Sequence, residues 1–125
     1  MMDGKRIVFL DDCQVFNKIL IDGYFKNHDL SKVNDLIAFS TINSFFDYVD
    51  DESNIIDAFV IDYHLVTVDG LDVVEVLKHK RPEAVIWMYS GMTETHIHDT
   101  RRALTARYIH KDKGVSYLFD ELLAA

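Results

Sequence analysis

Apolar residues fall in two kinds of run along this chain. Short unbroken runs, "RIVFL" (6–10), "DLIAFS" (35–40), "DAFVID" (57–62), "AVIWMYS" (84–90) and "ARYIHK" (106–111), have the length of buried strands and are bounded by polar residues. Between them lie longer stretches with helical spacing. In 14–27 the apolar positions are Val15, Phe16, Ile19, Leu20 and Tyr24. In 42–49, Ile42, Phe45, Phe46 and Val49 stand at i, i+3, i+4 and i+7. A third helix is expected over 70–82, opened by Gly70 and stopped by Pro82. A weakly amphipathic one follows over 93–104, and a last one over 115–125. Strict alternation of strand and helix predicts one doubly wound α/β domain over 1–125, a five-stranded parallel sheet with five helices on both faces. Crossovers in such a sheet are right-handed, and ligands bind beyond the carboxyl ends of the strands.

The polar residues at those ends are therefore the candidates for chemistry. Asp11 and Asp12 follow the first strand, Asp62 ends the third, Ser90 ends the fourth and Lys111 ends the fifth. Three carboxylates gathered at one edge raise one another's pKa values unless a cation relieves them. Mg²⁺ suits the task, because it is commonly held by one or two carboxylates together with waters and phosphate oxygens. The lysine is a compact charge suited to a phosphate. Each residue also has an ordinary explanation: Asp12 as a helix N-cap, Asp62 in a turn, Lys111 in a solvated loop. Capping does not explain Asp62, Ser90 and Lys111 together.

Bulk properties narrow the class. Apolar residues make up 49% of the 125, enough for a packed core. A net charge of −8 disfavours nonspecific binding to nucleic acid or anionic membrane. The amino-terminal run "IVFL" is too short for a signal or a spanning helix. A single cysteine, Cys13, excludes an intrachain disulfide and fits a reducing compartment, so a soluble cytoplasmic protein is expected.

With "FLDD" (9–12), "VIDYHLVTVDG" (60–70), "MYSG" (88–91) and "YIHK" (108–111) in this order and spacing, the chain resembles the receiver domain of two-component response regulators over essentially its whole length. The resemblance implies the flavodoxin-like fold, strand order 2-1-3-4-5. It implies that Asp62 is the phosphoacceptor, and that Asp11, Asp12, Asp62 and the backbone carbonyl of His64 hold Mg²⁺. By the same resemblance Ser90 and Tyr108 are the switch residues and Lys111 pairs with the phosphoryl group. The implied donor is a sensor histidine kinase or a histidine phosphotransfer protein. The output face is the one formed by the fourth helix, fifth strand and fifth helix, with a homodimer as one result of phosphorylation. Nucleic acid would be reached only through an output domain.

Two positions depart from the family's pattern. Val66 and Asp112 stand where proline is common, and a cis Lys111–Asp112 bond would cost roughly 3 kcal/mol more than trans. A loop of different geometry is expected there. Two other functions compete with a phosphorylated, non-enzymatic receiver. One is a binding module that keeps the fold and signals without phosphate, or the amino-terminal part of a longer regulator. The other is a metal-dependent phosphatase, for which a second carboxylate two residues beyond Asp62 is missing. Cys13 is expected to be structural, since neighbouring carboxylates raise a thiol's pKa. His96 and His98, two apart on an expected helix, are expected to point to different faces, which disfavours a metal pair. His110 is expected to be packed or solvent-facing. Gly70 is expected to supply a permissive backbone angle, and Phe45, Phe46 and Trp87 to be core or half-buried.

Overall fold

The computed structural model describes residues 5–13, 17–18, 22, 33–63, 65, 68–91 and 107–124. The five apolar runs form β1 (Lys5–Leu10), β2 (Val33–Phe39), β3 (Ala58–Ile61), β4 (Val85–Ser90) and β5 (Arg107–His110). All pair in parallel, in the order β2-β1-β3-β4-β5. Ile7, Val8, Phe9 and Leu10 are all buried, and so are Ala58 to Ile61. A strand covered on both faces reads as a continuous apolar run rather than an alternating one, which is the pattern in the sequence.

Alternate side chains of β1 serve two cores. Val8 and Leu10 pack with Phe45 and Val49 of α1 (Ile42–Asp50) and with Leu71, Val74 and Leu77 of α2 (Gly70–Lys80). On the other side, Ile7 and Phe9 pack with Leu118, Phe119 and Leu122 of α3 (Val115–Ala124). Each such side chain contributes roughly 1.5–3 kcal/mol by leaving water. Helices thus cover both faces. Residues 17, 18 and 22 are helical as expected; the rest of the helix expected over 14–27, and the one over 93–104 with His96 and His98, lie outside the described residues.

Local chemistry sets the helix ends. Thr41 caps α1, its hydroxyl accepting from the Ser44 N–H at 3.3 Å, and Asp69 caps α2, accepting from the Leu71 N–H at 2.7 Å. The chain leaves α2 at Arg81, before Pro82. Lys111 does not end β5; it opens a 3-10 turn, Lys111–Lys113, which closes on Gly114 at φ 90°. His110 is half-buried, and its Nδ1 accepts from the Asp112 N–H at 3.1 Å. The Lys111–Asp112 bond is trans, as are the other described peptide bonds. Phe45 and Trp87 are buried and Phe46 is half-buried. Among the described residues no helix is long and apolar enough to cross a membrane.

Candidate functional site

The register of the central strands brings the acidic residues together. Leu10 of β1 lies opposite Ile61 of β3, so Asp11 and Asp62 leave the sheet side by side. The backbone continues that pairing: the Asp62 N–H donates to the Leu10 carbonyl at 3.0 Å, and the Asp11 N–H to the Phe39 carbonyl at 3.1 Å. As a result one carboxylate oxygen from each of Asp11, Asp12 and Asp62 lies within 4.8 Å of the others. Asp11 and Asp62 are buried and Asp12 is half-buried. The arrangement fits a small hard cation, which prefers carboxylate oxygens and tolerates such crowding.

Lys111 supplies the positive charge. Its ammonium donates to Asp11 Oδ2 at 2.9 Å and stands 3.6 Å from Asp62 Oδ1. It is thus bound more closely to Asp11 than to Asp62, the residue whose phosphoryl group it is expected to meet. Asp11 is the more fully satisfied carboxylate, since its Oδ1 also accepts from the Cys13 N–H at 3.0 Å. Asp62 is not. Burial, followed by the Asp11 carboxylate, pushes its pKa up to about 6, against the opposing pull of Lys111. A buried carboxylate in excess negative charge is a group that gains from an arriving cation.

Ser90 ends β4 opposite His110 and is fully buried. Tyr108 is half-buried on β5, and its phenol O–H donates to the Ser90 carbonyl at 3.3 Å. The two residues assigned to a switch are therefore in direct contact. His64, whose carbonyl is the fourth expected metal ligand, and Val66 lie outside the described residues. Cys13 is exposed, and its backbone N–H is what serves the site.

Two residues take roles the sequence did not disclose. Gly70 has no positive φ; among the described residues only Gly114 does. What Gly70 provides is the absence of a side chain. A Cβ there would lie 2.1 Å from the Asp62 carbonyl oxygen and 2.8 Å from Tyr63 Cα. Its N–H donates to the Tyr63 carbonyl at 2.7 Å, so the first turn of α2 rests directly on the Asp62 backbone. Asn17 is buried, and its side-chain amide donates to the Asp11 carbonyl at 2.8 Å and to the Phe39 carbonyl at 3.4 Å. The only sequence signal was an amide one turn beyond the acidic pair, within a helical pattern.

A cleft of about 450 Å³ opens beside the carboxylates. Leu10, Ile42, Leu65 and Val68 form its apolar walls and Asp12 reaches its rim. Asp62 does not line it, so the cleft flanks the acidic site rather than containing it.

No protein-family model and no curated protein matches this sequence. Solved structures do match the fold. A signal receiver domain of an HD domain-containing protein from Pseudomonas fluorescens Pf-5 superposes with a TM-score of 0.79 at 14% identity, over 98% of this chain and 94% of that one. The response regulator RcsB of Salmonella typhimurium gives 0.78 at 15% identity over 98% of this chain, which spans 61% of RcsB. A response regulator from Burkholderia pseudomallei, solved with a phosphorylated aspartic acid, a calcium ion and citrate, gives 0.74 at 18% identity, over 96% of this chain and 71% of that one. The chain has the fold of response regulator receiver domains.

Proposed function

We propose that this chain is a phosphoacceptor receiver, phosphorylated on Asp62 with Mg²⁺ bound by Asp11, Asp12, Asp62 and the carbonyl of His64. The observation that carries the reading is the meeting of three carboxylates at the carboxyl edge of a receiver-type sheet, with the Lys111 ammonium against them. The Burkholderia relative, solved with a phosphorylated aspartic acid and a calcium ion, supports the same chemistry on this fold.

The donor in this reading is a phosphohistidine of a sensor kinase or a phosphotransfer protein. An Asp62 carboxylate oxygen attacks phosphorus in line, the new O–P bond replaces the N–P bond, and the imidazole leaves and takes up a proton. Bound Mg²⁺ supplies neutralisation of the phosphoryl oxygens. The chain's own groups do the rest. Burial in the sheet edge holds Asp62 in one orientation, and Lys111 is close enough to shift from Asp11 towards the added dianion. Ser90 then faces a dianion in place of a singly charged carboxylate, and Tyr108 shares its neighbourhood through the Ser90 carbonyl. Such a difference in interaction between two states is what a switch needs.

The signal leaves through the face of residues 93–125, by a changed protein contact or a homodimer. In this reading the chain works in the cytoplasm, is a substrate of phosphoryl transfer rather than an enzyme, and reaches nucleic acid only through an output domain. Incubation with acetyl phosphate and Mg²⁺ should add one phosphoryl group to the intact protein. The adduct should be labile to hydroxylamine and absent when EDTA is present. Asp62→Asn should take no label while keeping the wild-type circular dichroism. Equal labelling of that variant would refute the acceptor assignment. A wild type that takes no label from acetyl phosphate or any kinase would favour a module that binds partners without phosphate. Amide shifts on adding beryllofluoride that stop at Asp62, leaving Ser90 and β5 unmoved, would remove the switch.

A further inference from the structure

We infer that Asn17 is a positioning residue that sets the aim of the Asp12 carboxylate by holding, through its side-chain amide, the peptide just before it and the end of β2. The inference rests on the proposed cation site but concerns a residue outside it. Asp12 stands between Asp11 and Cys13 in the turn that follows β1. The Asn17 side-chain amide donates to the carbonyl of Asp11 at 2.8 Å, and the Asn17 backbone N–H donates to the carbonyl of Cys13 at 3.0 Å. The same amide reaches the Phe39 carbonyl at 3.4 Å, tying the turn to the end of β2. Inside the turn, the Cys13 N–H closes onto Asp11 Oδ1 at 3.0 Å. The peptide before Asp12 is thereby held by the Asn17 side chain, and the peptide after it by Asp11; the Asn17 N–H bond to Cys13 is an i→i−4 backbone bond that any residue at 17 except proline would keep.

The way Asn17 is used supports a positional role. It is only 6% exposed, and among the described residues its Oδ1 is a buried acceptor with no hydrogen-bond partner. A buried acceptor left unpaired is costly, so this amide is poorly suited to serve stability alone. Its donor half carries the purpose. Groups that orient metal-binding residues from behind typically change metal affinity by about 10–100-fold when removed, although they touch no metal.

The test is a Mg²⁺ titration of the whole chain, followed by amide chemical shifts and by calorimetry. Asn17→Leu matches the side chain in size and removes the donor together with the unpaired acceptor, so the variant is expected to fold. Asn17→Ala provides a second truncation. Both should weaken Mg²⁺ binding about tenfold and move the Asp12 and Cys13 amides in the metal-free protein. Leu122→Ala, in α3 at the amino end of the sheet, where the Leu122 carbonyl accepts from Lys5 Nζ, serves as the control for destabilisation alone and should leave Mg²⁺ affinity unchanged. If the Asn17 variants lost thermal stability but bound Mg²⁺ as the wild type does, the inference would fall and the cation site would stand. If the wild type itself bound no Mg²⁺, the cation site would fall and the inference with it.

Discussion

The two ends of the sheet treat charge in opposite ways. At the amino end, the Arg81 guanidinium donates to the carbonyls of Val49, Asn54 and Asp51 at 2.7–3.2 Å. Nearby, the Asp57 carboxylate accepts from the Arg6 N–H at 2.8 Å, and its backbone bonds to Arg6 and Val85 extend the sheet. Each charge there meets groups that complement it. At the carboxyl end, three carboxylates face one ammonium, and Asp62 is pushed out of the ordinary carboxylate range. The first end holds the fold together; the second holds an unrelieved charge in place. The sheet that carries the first arrangement does not repeat it at the second end, and an unrelieved site is one that an arriving ligand can stabilise.

Four experiments probe that contrast. Gly70→Ala should have the largest effect, about 3 kcal/mol of lost stability, because the added methyl meets backbone on the Asp62 side. Chemical denaturation measures it, and a loss below a few tenths would mean the α2 contact is slack. Arg81→Ala should cost about 2 kcal/mol, since several carbonyls lose a shared donor. That loss should be the same with and without Mg²⁺; a Mg²⁺-dependent loss would show that the two ends are coupled.

Adding Mg²⁺ at ten times its Kd should stabilise the wild type by about 1.4 kcal/mol and should do little for Asp12→Ala. Equal thermal shifts in both proteins would return Asp12 to a capping role. The smallest effect is that of Asp62→Asn on the metal-free protein. The raised pKa means that the folded state holds the Asp62 proton more tightly than the unfolded chain. Stability from this group is therefore complete below pH 3.8 and is lost as pH rises through about 6. The Asn variant should exceed the wild type by about 1 kcal/mol at pH 7, after allowance for solvent screening at the sheet edge, and should lose that advantage near pH 4. A gain that does not vary with pH would not come from the charge.

The strands were readable because each is covered on both faces, so burial shows directly as an unbroken apolar run such as "AFVI". Asp11, Asp12 and Asp62 were readable as a group because parallel strands deliver all their carboxyl ends to one edge. Their number and order were visible in the sequence, but hydrogen-bond choices within the edge were not. Nothing in "YIHK" tells whether the ammonium turns to Asp11 or Asp62, since both lie within reach and the distances differ by 0.7 Å, 2.9 against 3.6 Å. Asn17 and Arg81 escaped for a related reason. Both bond mainly to backbone carbonyls, which every residue carries, so their partners leave no trace in residue type. Gly70 was noticed but misread: "DG" before a helix suggests a special angle, whereas close approach of another segment is a tertiary fact.

Gly70 also bears on how this chain can vary. Every substitution of a glycine codon that changes the amino acid brings in at least a Cβ, and here the first atom added already meets the Asp62 carbonyl. Position 70 therefore has no gentle neighbours in sequence space. Drift at that site is closed unless the turn before α2 is rebuilt at the same time, which takes several coordinated changes. Asp12, half-buried at the edge of the acidic cluster, meets no such backbone wall, so exchange there would be expected long before exchange at this glycine.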